Sequence, residues 1–410
     1  MRSSRTTIGR LLLATLPILA ACDKDPIADD DNGDGNGFQP RTPIMLPVLG
    51  HGMTAARFTA EVAVAGRWVY TTTWSFRTAP GNALLVWDAA GATPVLRDTV
   101  ILDFATTLGD VQLSDDRTLL VVATERNNGS IVIFDRSTPE RPVQLARHAT
   151  EATSTGVHTV KLGRVGNRHL AFLSVNLGSN RPSQLVIVDI TDPRTPREVL
   201  VRPMGVPFIH DVFVRDGLLF TALWDDGMTI WDIGGGGRSG TPENPVQISN
   251  IKTVNGNVHN IWWFHNPVDG SKKYVFVGEE GPGAVGAQSS GDIHVVDISN
   301  IAQPREVAFY TVAGAGTHNF VMDEAGGILY AAYYNGGVRA LDVRGDISAC
   351  DASAKSIDGR CNMTLARREA GLALTTQTVS IWGVARDGNN LYASDMLSGV
   401  FKLDVTGLAR

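Results

Sequence analysis

The stretch "LVIVDITDPRTPREVL", Leu185 to Leu200, decides the fold of this 410-residue chain. A run of apolar and β-branched residues enters an aspartate, a Thr-Asp-Pro turn follows, and a second strand-like segment leaves it. The phrase returns as "LLVWD" ending at Asp88, "IVIFD" at Asp135, "MTIWD" at Asp232, "IHVVD" at Asp297, "VRALD" at Asp342 and "VFKLD" at Asp404. With the first copy, ending at Asp189, there are seven, at intervals of 47, 54, 43, 65, 45 and 62 residues. That spacing is near the length of a four-stranded propeller blade, with insertions in the wider intervals.

Each repeat has the same grammar, legible in "HDVFVRDGLLFTALWDDGMTIWDI", His210 to Ile233. A strand opening with a histidine leads to an Asp-Gly turn, a second strand, a turn ending in Gly227 and the "MTIWD" strand. Asp216 and Gly217 suit a tight hairpin because both residues tolerate positive φ. The third strand is apolar at successive rather than alternate positions, so both of its faces are buried. Blades packed face to face around a ring supply that environment. A proline-marked fourth segment such as "PVQIS" fits an outer edge, where a missing N–H is tolerated, and the phrase-final Asp is placed to hydrogen-bond the following turn.

The repeated phrase resembles the LVIVD repeat of bacterial and archaeal surface proteins, a β-propeller family, over nearly everything from residue 42 to 410. The resemblance implies architecture and export, not a catalytic residue. We therefore expect an all-β, seven-bladed propeller. Its last repeat reaches only a third strand before the chain ends, whereas "TPIMLPVLG", Thr42 to Gly50, resembles a fourth strand. Pairing it with Val400 to Asp404 would close the ring and remove an open edge.

The N-terminus reads as a targeting segment over residues 1–21. Arg2, Arg5 and Arg10 precede an apolar run, Leu11 to Ala20, too short to cross a bilayer, and no later segment reaches spanning length. The run ends in "LAAC", which resembles the lipobox of bacterial lipoproteins; an ordinary secretory signal cut nearby is the alternative. Lipidation would use Cys22 and leave Cys350 and Cys361 as a disulfide pair in an oxidising compartment. Residues 22–41 then form an acidic, Gly- and Asn-rich tether with little to bury. Asp30, Asn32, Asp34 and Gly35 open like an EF-hand loop, but Arg41 stands where its closing Glu belongs. The expected setting is a bacterial cell envelope, with the protein lipid-anchored to a membrane.

The 42 acidic against 36 basic residues, without a Lys/Arg block, argue against nucleic acid as a partner. No nucleophile elbow, phosphate loop or H-E-x-x-H is present. The informative pattern is positional: His158, His210, His259 and His318 open the inner strands of four consecutive repeats, where the others have Ala60, Gly109 and Trp382. In a propeller the start of the inner strand shares a face with the loop joining the second and third strands. Those loops include Thr124–Arg126, Leu223–Asp226, Gly278–Gly286, Tyr333–Gly337 and Ser394–Leu397. Asp225, Glu279 and Glu280 are the carboxylates expected nearest the histidines, a set suited to a divalent transition metal. An inner-strand histidine equally serves as a hydrogen-bond partner between strands, and duplication would copy it.

Three functions compete. The first is a binding platform for an envelope protein, peptide or saccharide. The second is a metal-dependent enzyme working at the histidine-rich rim, and the third a structural envelope scaffold.

Overall fold

The structure is a computed structural model and describes residues 38–54, 56–178, 181–281 and 287–408. The targeting segment, Cys22 and most of the tether lie outside the described residues.

Seven antiparallel blades follow one another along the chain. Blades one to three run, from inner to outer strand, Phe58–Ala65 to Val95–Ile101, Thr107–Leu113 to Val143–His148, and Thr159–Val165 to Arg197–Pro203. Blades four to six run Asp211–Arg215 to Val246–Ile251, Val258–Trp263 to Arg305–Tyr310, and Phe320–Asp323 to Glu369–Ala373. Blade seven takes three strands from the C-terminus, Ile381–Asp387, Asn390–Asp395 and Gly399–Asp404, and its outer strand, Val48–Met53, from the N-terminus. Inner strands touch their neighbours in an unbroken cycle, the seventh against the first.

The third strands hold the core. Ala83–Asp88, Met228–Asp232 and Ile293–Asp297 are buried at every position, because neighbouring blades cover both faces. Each buried Val, Leu or Ile contributes roughly 1.5–3 kcal/mol by leaving water. Every phrase-final aspartate caps the turn after it. Asp88, Asp135, Asp189, Asp297, Asp342 and Asp404 each accept the amide N–H two residues on. Asp232 accepts from Gly234, Gly235, Gly236, Arg238 and Gly240. Asp216 and Gly217 both have positive φ, 51° and 70°, as the hairpin requires. One feature was not expected from sequence: in all seven blades the pairing of third and fourth strands slips by one residue near the end of the phrase. A bulge at that point adds twist to each outer strand.

The closure differs in detail from the expectation. The partner of the C-terminal strand begins at Val48, facing Leu403, and runs to Met53, facing Gly399. Ile44 and Met45 instead run parallel to Gly371 and Leu372 on the outside of blade six. Thr42–Gly50 thus serves two blades. Gly52 permits the close approach to blade one, since a Cβ there would lie 2.8 Å from the Pro94 carbonyl oxygen. Cys350 and Cys361 are disulfide-bonded, and the closed insertion lays Cys361 and Asn362 against Ala308 and Phe309 as an extra parallel strand on blade five.

Candidate functional site around four inner-strand histidines

Backbone hydrogen bonds fix where the histidines start. The amides of His158, His210 and His318 donate to Ser174, Ala222 and Ala332 of their own second strands, at 2.8–2.9 Å. His259 lies within its inner strand. The four rings form a continuous arc with centroids 4.3, 3.9 and 4.2 Å apart, and Trp382 extends it 4.1 Å beyond His318.

The loops of the next layer bring side chains over this arc. Trp224 and Tyr334 donate their amides to the strand beginning of the following blade, at Val258 and Ile381, and Glu280 donates its own to Asn257 at the beginning of blade five. Trp224 and Tyr334 reach it with φ of 54° and 42°, a left-handed conformation that costs a non-glycine residue about 1–3 kcal/mol. The contacts made there are specific. Trp224 stacks on His210 at 5.4 Å, and the Tyr334 hydroxyl donates to Oε1 of Glu280.

Ring nitrogens converge on Glu280. Its carboxylate lies 3.5 Å from Nε2 of His210, 3.7 Å from Nε2 of His259 and 3.9 Å from Nε2 of His318. Nε2 of His158 is 2.9 Å from Nε2 of His210. Among the described residues, His210, His259 and Glu280 place their donor atoms within 4.8 Å of one another. Two donors each about 2.0–2.1 Å from one ion, at angles of 90–110°, are separated by about 2.9–3.4 Å, so small movements would bring this set onto a single ion. Outer partners orient two of the rings. Nδ1 of His158 bonds Oε1 of Glu125 at 2.8 Å, and Nδ1 of His318 donates to the Trp382 carbonyl at 2.7 Å. Metal-bound imidazoles are normally held in this way through their second nitrogen.

The electrostatics keep most of the rings neutral. Burial, then the neighbouring imidazoles, hold His210 and His259 well below the ordinary histidine pKa, and burial takes His318 down to about 3. His158 differs: burial opposes its charge, but Glu125 outweighs burial and raises its pKa. Burial likewise raises Glu280. Neutral imidazole is the form that ligates a metal.

Of the three carboxylates expected here, only Glu280 joins the histidines. Glu279, one residue earlier on the strand, points into blade five, where His294 lies between it and Glu306 at 2.8 and 2.6 Å. Asp225 is exposed at the rim, beside Gly256 rather than the rings. Glu125 and Tyr334 were not singled out from sequence. A signal for the first existed: Gly109 occupies a ring position, and Oε1 of Glu125 fills the space its side chain would take.

Inside the ring, a cavity of about 410 Å³ runs down the channel from the histidines. All four histidines line it, whereas Glu280 and Tyr334 do not. The carboxylate therefore covers the arc from the loop side, and the other side of the arc looks into the channel.

The chain's relations to known proteins concern fold and repeat. The LVIVD repeat model matches residues 181–201 and 286–312, the third and fourth strands of blades three and five. The crystal structure of the computationally designed Ika8 protein is similar with a TM-score of 0.51 at 10% identity, covering 87% of this chain and 99% of that one, a likeness of fold alone. No curated protein matches the sequence. The repeats and the closed ring of blades together make this chain a seven-bladed β-propeller carrying LVIVD repeats.

Proposed function

We propose that this propeller is an exported binding module, anchored to a membrane of the cell envelope through Cys22, which holds a divalent transition metal on His158, His210, His259 and His318 with Glu280. The observation that carries the metal reading is His259. Its side chain is 2% exposed, and its Nε2 is buried without a hydrogen-bond partner while facing Glu280 and the adjacent rings. A histidine kept for strand-to-strand bonding would be satisfied; a ligand needs its lone pair free. Imidazole nitrogen with one carboxylate suits zinc, copper, nickel or iron. Export is supported by the basic, apolar and "LAAC" sequence of residues 2–22 and by a disulfide suited to an oxidising compartment.

Elemental analysis of the purified propeller, followed by chelation and zinc titration, tests the metal. We expect about one ion per chain, lost in His210→Ala/His259→Ala with the fold retained by circular dichroism. Equal metal content in a folded double variant would remove these residues from the site. A variant that binds nothing and melts far lower, from a wild type that also binds nothing, would assign them to structure.

A further inference from the structure

Building on the metal reading, the side of the histidine arc opposite Glu280 becomes an open coordination position, and the channel beneath it becomes the chamber from which a ligand would arrive. The chamber is polar and charged by design of the inner strands. One residue after the histidine position stand Glu61, Asp110 and Asp211, all lining the cavity. Asp110 accepts the amides of Val111 and Val160 at 2.7 and 2.9 Å, and Asp211 that of Val212 at 2.7 Å. Glu61 accepts the amide of Val62 at 2.9 Å and the side-chain amide of Asn319. Of the cations that line the cavity, Arg117 pairs with Asp387 at 2.8 Å and Arg386 with Asp323 at 3.0 Å; the third, Lys161, lies beside the inner-strand acids, its ammonium 5.3 Å from the Phe213 ring and 5.7 Å from that of Trp262. Lys161 is the cation that acts on Asp110 and Asp211, and the three inner-strand carboxylates outnumber it. Burial, and then repulsion from Asp110, push the pKa of Glu61 up to about 8, as expected where negative charge lacks compensation.

A second observation points to a ligand independently of the acids. The unpartnered Nε2 of His259, buried to the same degree as the core, belongs to a ring that also lines this cavity. A volume of about 410 Å³ falls in the range of small-molecule sites.

We propose that the chamber binds a small organic amine, one donor atom on the metal and its cationic nitrogen among Asp110, Asp211 and Glu61. Recognition is by charge at one end and coordination at the other. A ligand with an anionic tail would meet three carboxylates and be rejected, because an unpaired charge in such a space is costly.

The test uses the propeller loaded with Co²⁺, whose visible absorption reports ligands entering the first sphere. Histamine and imidazole-4-acetate carry the same azole donor with tails of opposite charge. We expect histamine to perturb the spectrum with at least ten-fold higher affinity than imidazole-4-acetate. Lys161→Met, which removes the cation acting on Asp110 and Asp211 without touching a metal ligand, should widen that ratio several-fold. Affinities within two-fold of each other, or a preference for the acetate, would overturn the proposal while leaving the metal site standing. A histamine preference unmoved by Lys161→Met would place the amine outside the chamber and overturn it as well. Failure to take up Co²⁺ at all would instead defeat the metal reading, and the chamber assignment with it.

Discussion

Nε2 of His158 and Nε2 of His210 lie 2.9 Å apart, a distance at which two lone pairs repel unless something positive stands between them. Glu125 accepts at Nδ1 of His158, so a neutral His158 keeps its lone pair on Nε2. A proton shared with His210 or a metal ion would each relieve the repulsion. The two compete for one position.

That competition gives metal affinity a defined pH dependence. Because Glu125 raises the pKa of His158, this ring holds its proton to higher pH than an ordinary histidine, and an incoming ion must displace it. Zinc affinity should therefore fall as pH is lowered from 8 to 6. Titration calorimetry in buffers of different ionisation enthalpy should show proton release on binding. Affinity independent of pH across this range would contradict the assignment of His158 as a ligand.

Glu125→Ala should weaken metal binding about ten- to hundred-fold, the usual effect of losing an orienting partner behind a ligating histidine. The fold should persist, because Glu125 ends its strand with a partly buried side chain. Competition against a chromogenic chelator measures the loss.

Blade five carries a separate pH response. Burial disfavours charge on His294, but the hydrogen bonds that its ring donates to Glu279 and Glu306 outweigh it and push its pKa up to about 9. Between about pH 6.5, its unfolded value, and pH 9 the folded protein holds more protons than the unfolded chain. Stability from this ring is full below that window and is lost as pH rises through it. The loss should be on the order of 3 kcal/mol. Denaturant unfolding of the wild type should show this slope, and His294→Gln should flatten it.

Opening the disulfide by Cys350→Ser/Cys361→Ser should cost roughly 3 kcal/mol through the freed unfolded chain, and loosen the insertion first. Arg360 still pairs with Glu306, and blades five and six keep their own four-stranded cores. Hydrogen exchange should rise at residues 350–362 well before it rises at the third strands.

Cys22→Ser should release the protein from the membrane fraction or leave an uncleaved precursor, if the "LAAC" segment directs lipidation. Intact-mass analysis of the mature N-terminus distinguishes this from an ordinary secretory cleavage.

The sequence exposes some of these features and conceals others for physical reasons. Seven apolar phrases, each closed by an aspartate, announce the blades because burial on both faces forces continuous apolar runs. The Asp216–Gly217 turn is legible because few residues accept its backbone. The histidine arc is legible because repeats align its members. The carboxylate was harder to choose: Glu279 and Glu280 are neighbours at the end of one strand, successive side chains point opposite ways, and only the exact end of the strand decides which faces the histidine arc. Asp225 fails for a related reason. In its loop the left-handed residue is Trp224, so the ring, not the carboxylate, turns inward. The split of Thr42–Gly50 between two blades is equally hidden, since a short apolar stretch marked by prolines reads alike in either register.

Closing the ring with Val48–Met53 also sets an order of events. This strand belongs to the first part of the propeller to be synthesised, yet its partner, Gly399–Asp404, is nearly the last. Contacts of such long sequence separation make folding slow. Through most of synthesis the earlier blades have no seventh blade to lean on, and the exposed flank of blade one waits for a neighbour that arrives from the far end of the chain. Ring completion is thus a late, all-or-none step, and chains interrupted before residue 404 should be prey to proteases and to pairing with one another.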